Sequence, residues 1–410
     1  MNHYKVQRLP EVKKRANKKN TKNKTGKVMT AGRIVFLTFL SLLFVSFLWI
    51  NIFLYVYSPS QEEAGYLDVE GEFEMPFDDP DGEGGEVPAP PREDLSGDKK
   101  PDCYTFLLLG QDVGGGNTDT MMLVMFNVKE GTISILNIPR DTYVATKNFS
   151  GRINAVYATG CNRAIRDGIP KGEEASKEGI KYLNAMIKYT FGVEVQKYAL
   201  INLEGFKVLV DEVKGVEFDV PFRMKYTDPY QNLYIDLQPG LQTLNGAKAE
   251  QLIRFRHGDS GYPGYGRTIN GVFYPSEDIG RIQTQQRFLA ALMKKMLSQI
   301  DVNTIQALFR VGEQYMLTNM SLADVGWFAA KMTGVKLENI RTHTVPTLWL
   351  GSLNRLEAYK AETMEIINTY YNPYKRDIPE SNFNIYDKDL AGKAKPEINI
   401  DGNTMDSLVN

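Results

Sequence analysis

The chain has 410 residues, enough for a large core and one or two domains. Its formal charge of −2 hides three blocks: residues 1–33 carry eleven Lys/Arg and one acid, residues 34–59 none, and residues 60–102 fifteen acids and three bases. Residues 103–410 carry thirty-four charges of each sign, so no global basic excess exists to drive nucleic-acid binding.

In chain order, the basic arm 1–33 reads as a solvated cytoplasmic segment attracted to anionic headgroups. Ile34 to Tyr57, IVFLTFLSLLFVSFLWINIFLYVY, is almost continuously apolar and longer than the ~20 residues that a helix needs to cross hydrocarbon. Trp49, Tyr55 and Tyr57 suit the outer interface, and the preceding positive charge sets the rest of the chain outside the cytoplasmic membrane. A cleaved signal peptide competes with this reading, but it wants a shorter apolar core and a small-x-small site, and SPSQEE is a poor one. Residues 58–102, rich in Glu, Asp, Gly and Pro, predict a disordered acidic linker that repels itself.

Ordered structure is predicted from residue 103. Tyr104–Gly110, TMMLVMFNV and TISILNI are three apolar strands, the last two joined as a hairpin. A helix over Glu173–Tyr189 ends at Gly192, and VEVQKYALI follows as a strand. Leu203–Val213 reads as helix, Gly215–Val220 as strand and Tyr234–Leu237 as a short extended piece. LNGAKAEQLIRFR has helical spacing from an N-cap at Asn245. A Gly/Tyr-rich loop, 259–277, precedes a long amphipathic helix, Asp278–Gln299. Further helices are predicted at 302–315, 321–332 and 357–370, with a strand near 340–346. Strands alternating with helices predict one α/β sandwich domain with a mixed sheet over 103–376. Residues 377–410 read as a loosely packed tail.

Common catalytic sets are missing from the sequence. The three histidines, His3, His257 and His343, form no H-E-x-x-H, and neither paired-Cys zinc spacing nor a G-x-S-x-G elbow occurs. Gly114–Gly116 lacks the G-K-[ST] of a phosphate loop. Cys103 and Cys161 leave a disulfide and two free thiols equally open. What remains is carboxylate plus arginine. Asp112 and Asp119 flank the Gly-rich loop, either as turn residues or as carboxylates converging on a magnesium ion. Arg140 ends the third strand, Arg152 follows it, Arg254 and Arg256 lie two apart, and Arg281 precedes Gln285 by one helical turn. Each Arg alone fits a surface ion pair; together they fit a pyrophosphate held by guanidinium forks. In NIPRDTYV, Arg140 and Asp141 either close a loop or rim a site. As neighbours on a strand they are expected to face opposite ways, Arg140 into the pocket.

Four blocks resemble the LytR-CpsA-Psr family of membrane-anchored cell-envelope proteins. They are FLLLGQDVGGGNTDTMMLVMFN, ISILNIPRDTYV with RINAVYATG, INLEGFKVLVDEVKGVEFDVP, and LQTLNGAKAEQLIRFRHG with DIGRIQTQQRFL. The resemblance spans roughly 104–370. It implies an α/β/α domain with an apolar tunnel for an isoprenoid tail. It also implies a magnesium- or manganese-dependent phosphotransferase that moves an anionic glycopolymer from a polyprenyl-pyrophosphate carrier to peptidoglycan through a phosphodiester, with pyrophosphate hydrolysis as a side activity. Asp112 and Asp119 fall on the family's metal positions, and Arg140 and Asp141 on its P-R-D motif. Arg254, Arg256, Arg281 and Gln285 fall on pyrophosphate-binding positions, and Arg152 where Lys or Arg is expected. Asp119 or Asp141 would orient or deprotonate the acceptor hydroxyl. Three departures stand out. Asn117 stands where the family commonly has Arg, Thr284 replaces a second Arg, and the loop 259–277 is long, with Arg267 as a substitute cation. They keep a second reading open, a non-enzymatic polyprenyl-phosphate-binding or regulatory protein.

Overall fold

The computed structural model describes residues 45–46, 48, 52–53, 56–62, 92–111, 116–146, 149–266, 268–269, 272–273, 277–298, 310–393, 395 and 398–409. Residues 1–58 and 59–410 are separate units. The span expected over Ile34–Tyr57 lies largely outside the described residues, and among the described residues no helix is long and apolar enough to cross a membrane.

Unit 59–410 opens with β1 (Cys103–Gln111), β2 (Thr118–Asn127) and β3 (Thr132–Asn137), an antiparallel run in which Gly131, at φ 64, makes the hairpin turn. A small pair, β4 (Tyr143–Ala145) and β5 (Ser150–Arg152), leads into α1 (Ile153–Arg166) and α2 (Glu173–Phe191). Next, β6 (Lys197–Ile201) pairs in parallel with β1. A second lobe contains α3 (Leu203–Glu212), β7 (Val216–Val220), β8 (Met224–Asp228), β9 (Leu233–Leu237), β10 (Gly240–Leu244) and α4 (Gly246–Arg254). The loop carries β11 (Thr268–Ile269) and β12 (Val272–Phe273) before α5 (Glu277–Ser298), β13 (Met316–Thr318) and α6 (Leu322–Met332). The chain closes with β14 (Ile340–Thr344), β15 (Thr347–Leu350), β16 (Arg355–Ala358), α7 (Lys360–Tyr370), β17 (Asn403–Thr404) and α8 (Met405–Val409).

The main sheet has the order β13-β6-β1-β2-β3-β14-β17. It is mixed: β1, β3, β6 and β14 run the same way, and β2, β13 and β17 oppose them. Helices cover both faces. Leu107, Leu109, Met121, Leu123 and Leu136 pack on α1, α2 and α7, each such side chain contributing about 1.5–3 kcal/mol by burial. On the other face, the rings of Tyr104 and Phe106 meet Phe328 of α6 at 5.1 and 4.9 Å. The second lobe has its own core, in which Phe288 and Leu292 of α5 close over Phe218, Phe222 and Leu252. Helices α1 and α2 approach closely because small residues face each other: a Cβ at Gly179 would lie 2.4 Å from Cys161 Sγ. Cys161 and Cys103 are both free thiols.

The predicted strands 104–110, 215–220 and 340–346 and the helices 173–189, 203–213, 245–254, 278–299 and 321–332 all form, with ends shifted by a few residues. Helix 302–315 lies mostly outside the described residues. Helix α1 was not expected; its INAVYATGCNRAIR has no side-chain cap at Arg152 and a helix-weakening glycine. In VEVQKYALI only Lys197–Ile201 pairs, because upstream the Thr105 side chain takes the Glu194 carbonyl and Gln196 bonds back to Thr105. Residues 357–358 belong to β16, and the helix starts at Lys360.

The predicted basic arm 1–33 and residues 63–91 of the predicted acidic linker lie outside the described residues, but the linker's described ends are docked. The Gln61 amide donates to the carbonyls of Lys100, Pro101 and Cys103 at 3.1, 3.0 and 2.9 Å. Leu95 is buried, Arg92 sits 4.2 Å over the Tyr189 ring, and Arg376 donates to Glu93 and Asp98. The tail is packed rather than loose. Ile378, Phe383 and Ile385 enter the main core, while β17 extends the sheet. The reason is apolar spacing too sparse to read as a helix or strand but sufficient to fill the core edge.

His343 of β14 ties this tail down. Its Nδ1 accepts from the Tyr371 hydroxyl at 2.8 Å, and its Nε2–H donates to the Ile400 carbonyl at 3.1 Å. A carbonyl only accepts, so the proton sits on Nε2. Burial pushes the pKa from 6.5 down to about 4, against the pull of the Ile400 carbonyl. The folded state therefore binds fewer protons than the unfolded chain between these values. Stability should be intact above pH 6.5 and fall as pH drops toward 4, by on the order of 3 kcal/mol from this group. Urea unfolding of the wild type and of His343→Gln at pH 7 and pH 4.5 measures it; the variant should lack this part of the pH dependence.

Candidate functional site

Because β1, β3, β6 and β14 are parallel, their carboxyl ends share one edge of the sheet, where open α/β sheets bind ligands. From β3 the chain leaves through Ile138, whose N–H donates to the Met121 carbonyl at 2.9 Å, and Pro139. Thr142 then folds the chain into a tight turn: its N–H and hydroxyl both donate to the Pro139 carbonyl, at 3.0 and 2.7 Å. Arg140 and Asp141 occupy that turn rather than a strand, so strand alternation does not separate them. Contrary to the expectation of opposite faces, Arg140 Nε lies 3.6 Å from Asp141 Oδ2.

The pair belongs to a longer chain of charge. Arg140 Nη1 donates to Asp119 Oδ1 at 2.7 Å, and Arg152 Nη1 donates to Asp141 Oδ1 at 2.8 Å. Arg152 Nη2 reaches the Asn354 carbonyl at 2.9 Å. The order Asp119–Arg140–Asp141–Arg152 alternates in sign. Asp141 lies between two guanidiniums with its side chain 14% exposed, whereas Asp119 at the far end is 43% exposed. Asp141 is thus a fixed counter-charge that aims both arginines. Asp119 keeps an accessible carboxylate at the start of β2. Asp112 and Arg267 lie outside the described residues.

A second group gathers where α4 meets α5. Gln285 donates to the Ile253 carbonyl at 2.9 Å, beside Arg254. Arg254 donates to Glu250 at 2.9 Å and to Gln231 at 3.2 Å. Arg256 is exposed, and Arg281 lies one turn before Gln285 on α5. The next residue, Gln286, donates to Thr344 Oγ1 at 2.8 Å. Thr344 is the last residue of β14 and pairs with Asn137, the last of β3 and three residues before Arg140. Through Gln286, α5 therefore touches the sheet edge that carries the first group. Asn354, at φ 51, was missed by sequence reasoning; its only signal is a turn composition some two hundred residues from Arg152.

The departure at Thr284 has a local cause. Thr284 is 5% exposed, and its hydroxyl accepts from Tyr265 of the long loop at 2.8 Å. The Tyr265 ring lies where a Cβ on Gly280 would stand, 2.3 Å away. Tyr265 thus fills the helix face that a longer side chain at 284 would need.

The LytR_cpsA_psr family model matches residues 83–378. The chain belongs to this family. Biofilm regulatory protein A of Streptococcus mutans is 26% identical over 273 residues, 61% of this chain and 58% of that protein. Cell wall biosynthesis protein LcpA of Corynebacterium glutamicum is 26% identical over 271 residues, covering 62% and 48%. The polyisoprenyl-teichoic acid–peptidoglycan teichoic acid transferase TagV of Bacillus subtilis is 25% identical over 214 residues, covering 51% and 46%. The matches thus span about half of each curated relative. The crystal structure of protein gbs0355 from Streptococcus agalactiae superposes with a TM-score of 0.55 at 18% identity, over 72% of this chain and 97% of that one, which supports the mixed α/β fold.

Within this family member, Thr284 and Tyr265 should behave as one packing unit. Tyr265→Phe should cost about 1 kcal/mol, one hydrogen bond. Thr284→Arg, which buries a charge and displaces the ring, should cost about 3 kcal/mol or more. Chemical denaturation of the two variants tests the difference.

Proposed function

We propose that this protein transfers an anionic glycopolymer from a polyprenyl-pyrophosphate carrier to peptidoglycan, forming a phosphodiester bond outside the cytoplasmic membrane. The observation that carries the reading is the alternating Asp119–Arg140–Asp141–Arg152 chain at the carboxyl edge of the sheet. Phosphoryl transfer asks a protein mainly for positioning and charge stabilisation. Arg140 is the central cation. Asp141 holds it and Arg152 in register, so neither guanidinium reorganises as charge shifts to the leaving pyrophosphate. Arg254, Arg256 and Arg281, with Gln285 bracing the α4–α5 contact, supply further donors.

The donor set also fits a divalent cation. Magnesium takes one or two carboxylates plus phosphate oxygens, and Asp119 offers an accessible carboxylate. Asp112, seven residues before Asp119 in the sequence, is the second candidate ligand. When bound, magnesium or manganese would neutralise phosphate charge. Among the described residues no group of three or more His, Cys, Asp or Glu forms a metal cage.

Apolar surface supports the lipid part of the reading. On the α1–α2 side of the sheet, Leu107, Leu109, Met121 and Leu123 are sealed. On the α6 side of the same strands, Phe106, Leu108 and Met122 remain half-buried. A prenyl chain laid along that side would cover them and bring its headgroup to the Arg140 edge. The apolar run Ile34–Tyr57 is read as the single membrane anchor, with the basic arm cytoplasmic.

Arg140→Ala should lower transfer at least about 100-fold, because the guanidinium acts on the transferring group. Unfolding should shift little, because the Asp119–Arg140 pair is solvent-accessible. Labelled lipid-linked polymer and isolated peptidoglycan provide the assay, and full transfer by this variant sinks the proposal. Chelation with EDTA should abolish turnover, and magnesium should restore it. Persistence of metal-independent turnover would remove the cation from the reading.

A further inference from the structure

The Asp141–Arg152 pair is braced by a segment more than two hundred residues downstream. Two residues touch it, and the one between them touches its neighbour Tyr143. Asn354 accepts from Arg152 at 2.9 Å. Arg355 lays its guanidinium carbon 3.8 Å from the ring centroid of Tyr143, the register partner of Arg152 across β4 and β5. Leu356 donates its N–H to the Asp141 carbonyl at 3.0 Å.

The C-terminal tail in turn fixes Arg355. Arg355 Nε donates to Glu357 Oε1 at 2.9 Å, and Nη2 donates to Asp389. The Asp389 N–H donates to the other Glu357 oxygen at 3.1 Å. Tyr386 forms the second wall, its ring 5.1 Å from the guanidinium and 4.9 Å, edge-on, from Tyr143. The Glu357 side chain is fully buried; burial pushes its carboxyl up, and Arg355 pulls it back down. A buried carboxylate tolerates no lost partner, so Glu357, Arg355 and Asp389 stand or fall together. Lysine could not replace Arg355, since the flat guanidinium both stacks on Tyr143 and forks to two carboxylates. Tyr386 and Asp389 lie beyond residue 378, where the family match ends.

We propose that the C-terminal tail is a working part of the site: Asp389 and Tyr386, acting through Arg355, are positioning residues for the Asp141–Arg152 pair. This rests on the phosphotransfer reading, in which that pair aims Arg140. The full-length protein is the test material. In Asp389→Ala, kcat for transfer should fall about 10- to 100-fold, while KM for the lipid-linked donor changes less than about twofold. Asp389→Glu should recover much of the rate. Combining Asp389→Ala with Arg152→Lys should cost little more than Arg152→Lys alone, because both act on one geometry. Wild-type kcat in Asp389→Ala, or full additivity with Arg152→Lys, overturns the proposal. Hydrogen exchange at the Leu356 amide gives a readout independent of the reaction. Faster exchange in Asp389→Ala supports the positioning role, and unchanged exchange overturns it. If the wild type transfers no polymer, the functional reading falls and the exchange result still decides the positioning.

Discussion

Asp141 is a carboxylate set between two guanidiniums, and the surrounding structure is arranged to keep it there. Arg140 approaches one oxygen at 3.6 Å and Arg152 the other at 2.8 Å. Left alone, three charged side chains at a sheet edge would spread into water, since an exposed ion pair contributes less than about 1 kcal/mol. Here the backbone removes that choice. The Pro139–Thr142 turn fixes the origin of Arg140 and Asp141, β5 fixes Arg152, and Leu356 ties the Asp141 carbonyl to β16. The entropy of ordering long side chains is met by backbone hydrogen bonds and not by the ion pairs themselves.

The sheet supplies the second half of the arrangement. Its parallel strands end together, so segments distant in sequence deliver polar groups to one place while their apolar stretches stay in the core. The same strands have two unlike faces. One is sealed by α1, α2 and α7, and the other keeps Phe106, Leu108 and Met122 half-buried. A sheet with one closed and one partly open face, and a linked charge cluster at its carboxyl edge, is amphipathic along its strands.

Legibility from sequence followed the range of the forces involved. The opening strands, the Asn245 cap and the long helix were readable because apolar period and cap chemistry are local. Asp119, Arg140, Asp141 and Arg152 were readable as candidates because charged residues at strand ends are conspicuous. Their linkage was not: Arg140 and Asp141 were expected to point apart because a strand was assumed where a turn stands. Asn354 acts through a backbone carbonyl, which carries no residue signature. Thr284 looked like a lost cation and is a buried hydroxyl matched to Tyr265, a pairing visible only once the loop lies across α5. The tail looked loose because Ile378, Phe383, Ile385 and Leu390 follow neither helical nor strand spacing, yet all are buried.

Gln61 gives the acidic segment an unforeseen mechanical character. Its side chain is clamped to three carbonyls at the entrance to β1, and Arg92 and Leu95 pack against the same folded unit. A pull on residue 61 is received by the carbonyls of Lys100, Pro101 and Cys103 and so enters the main sheet at β1.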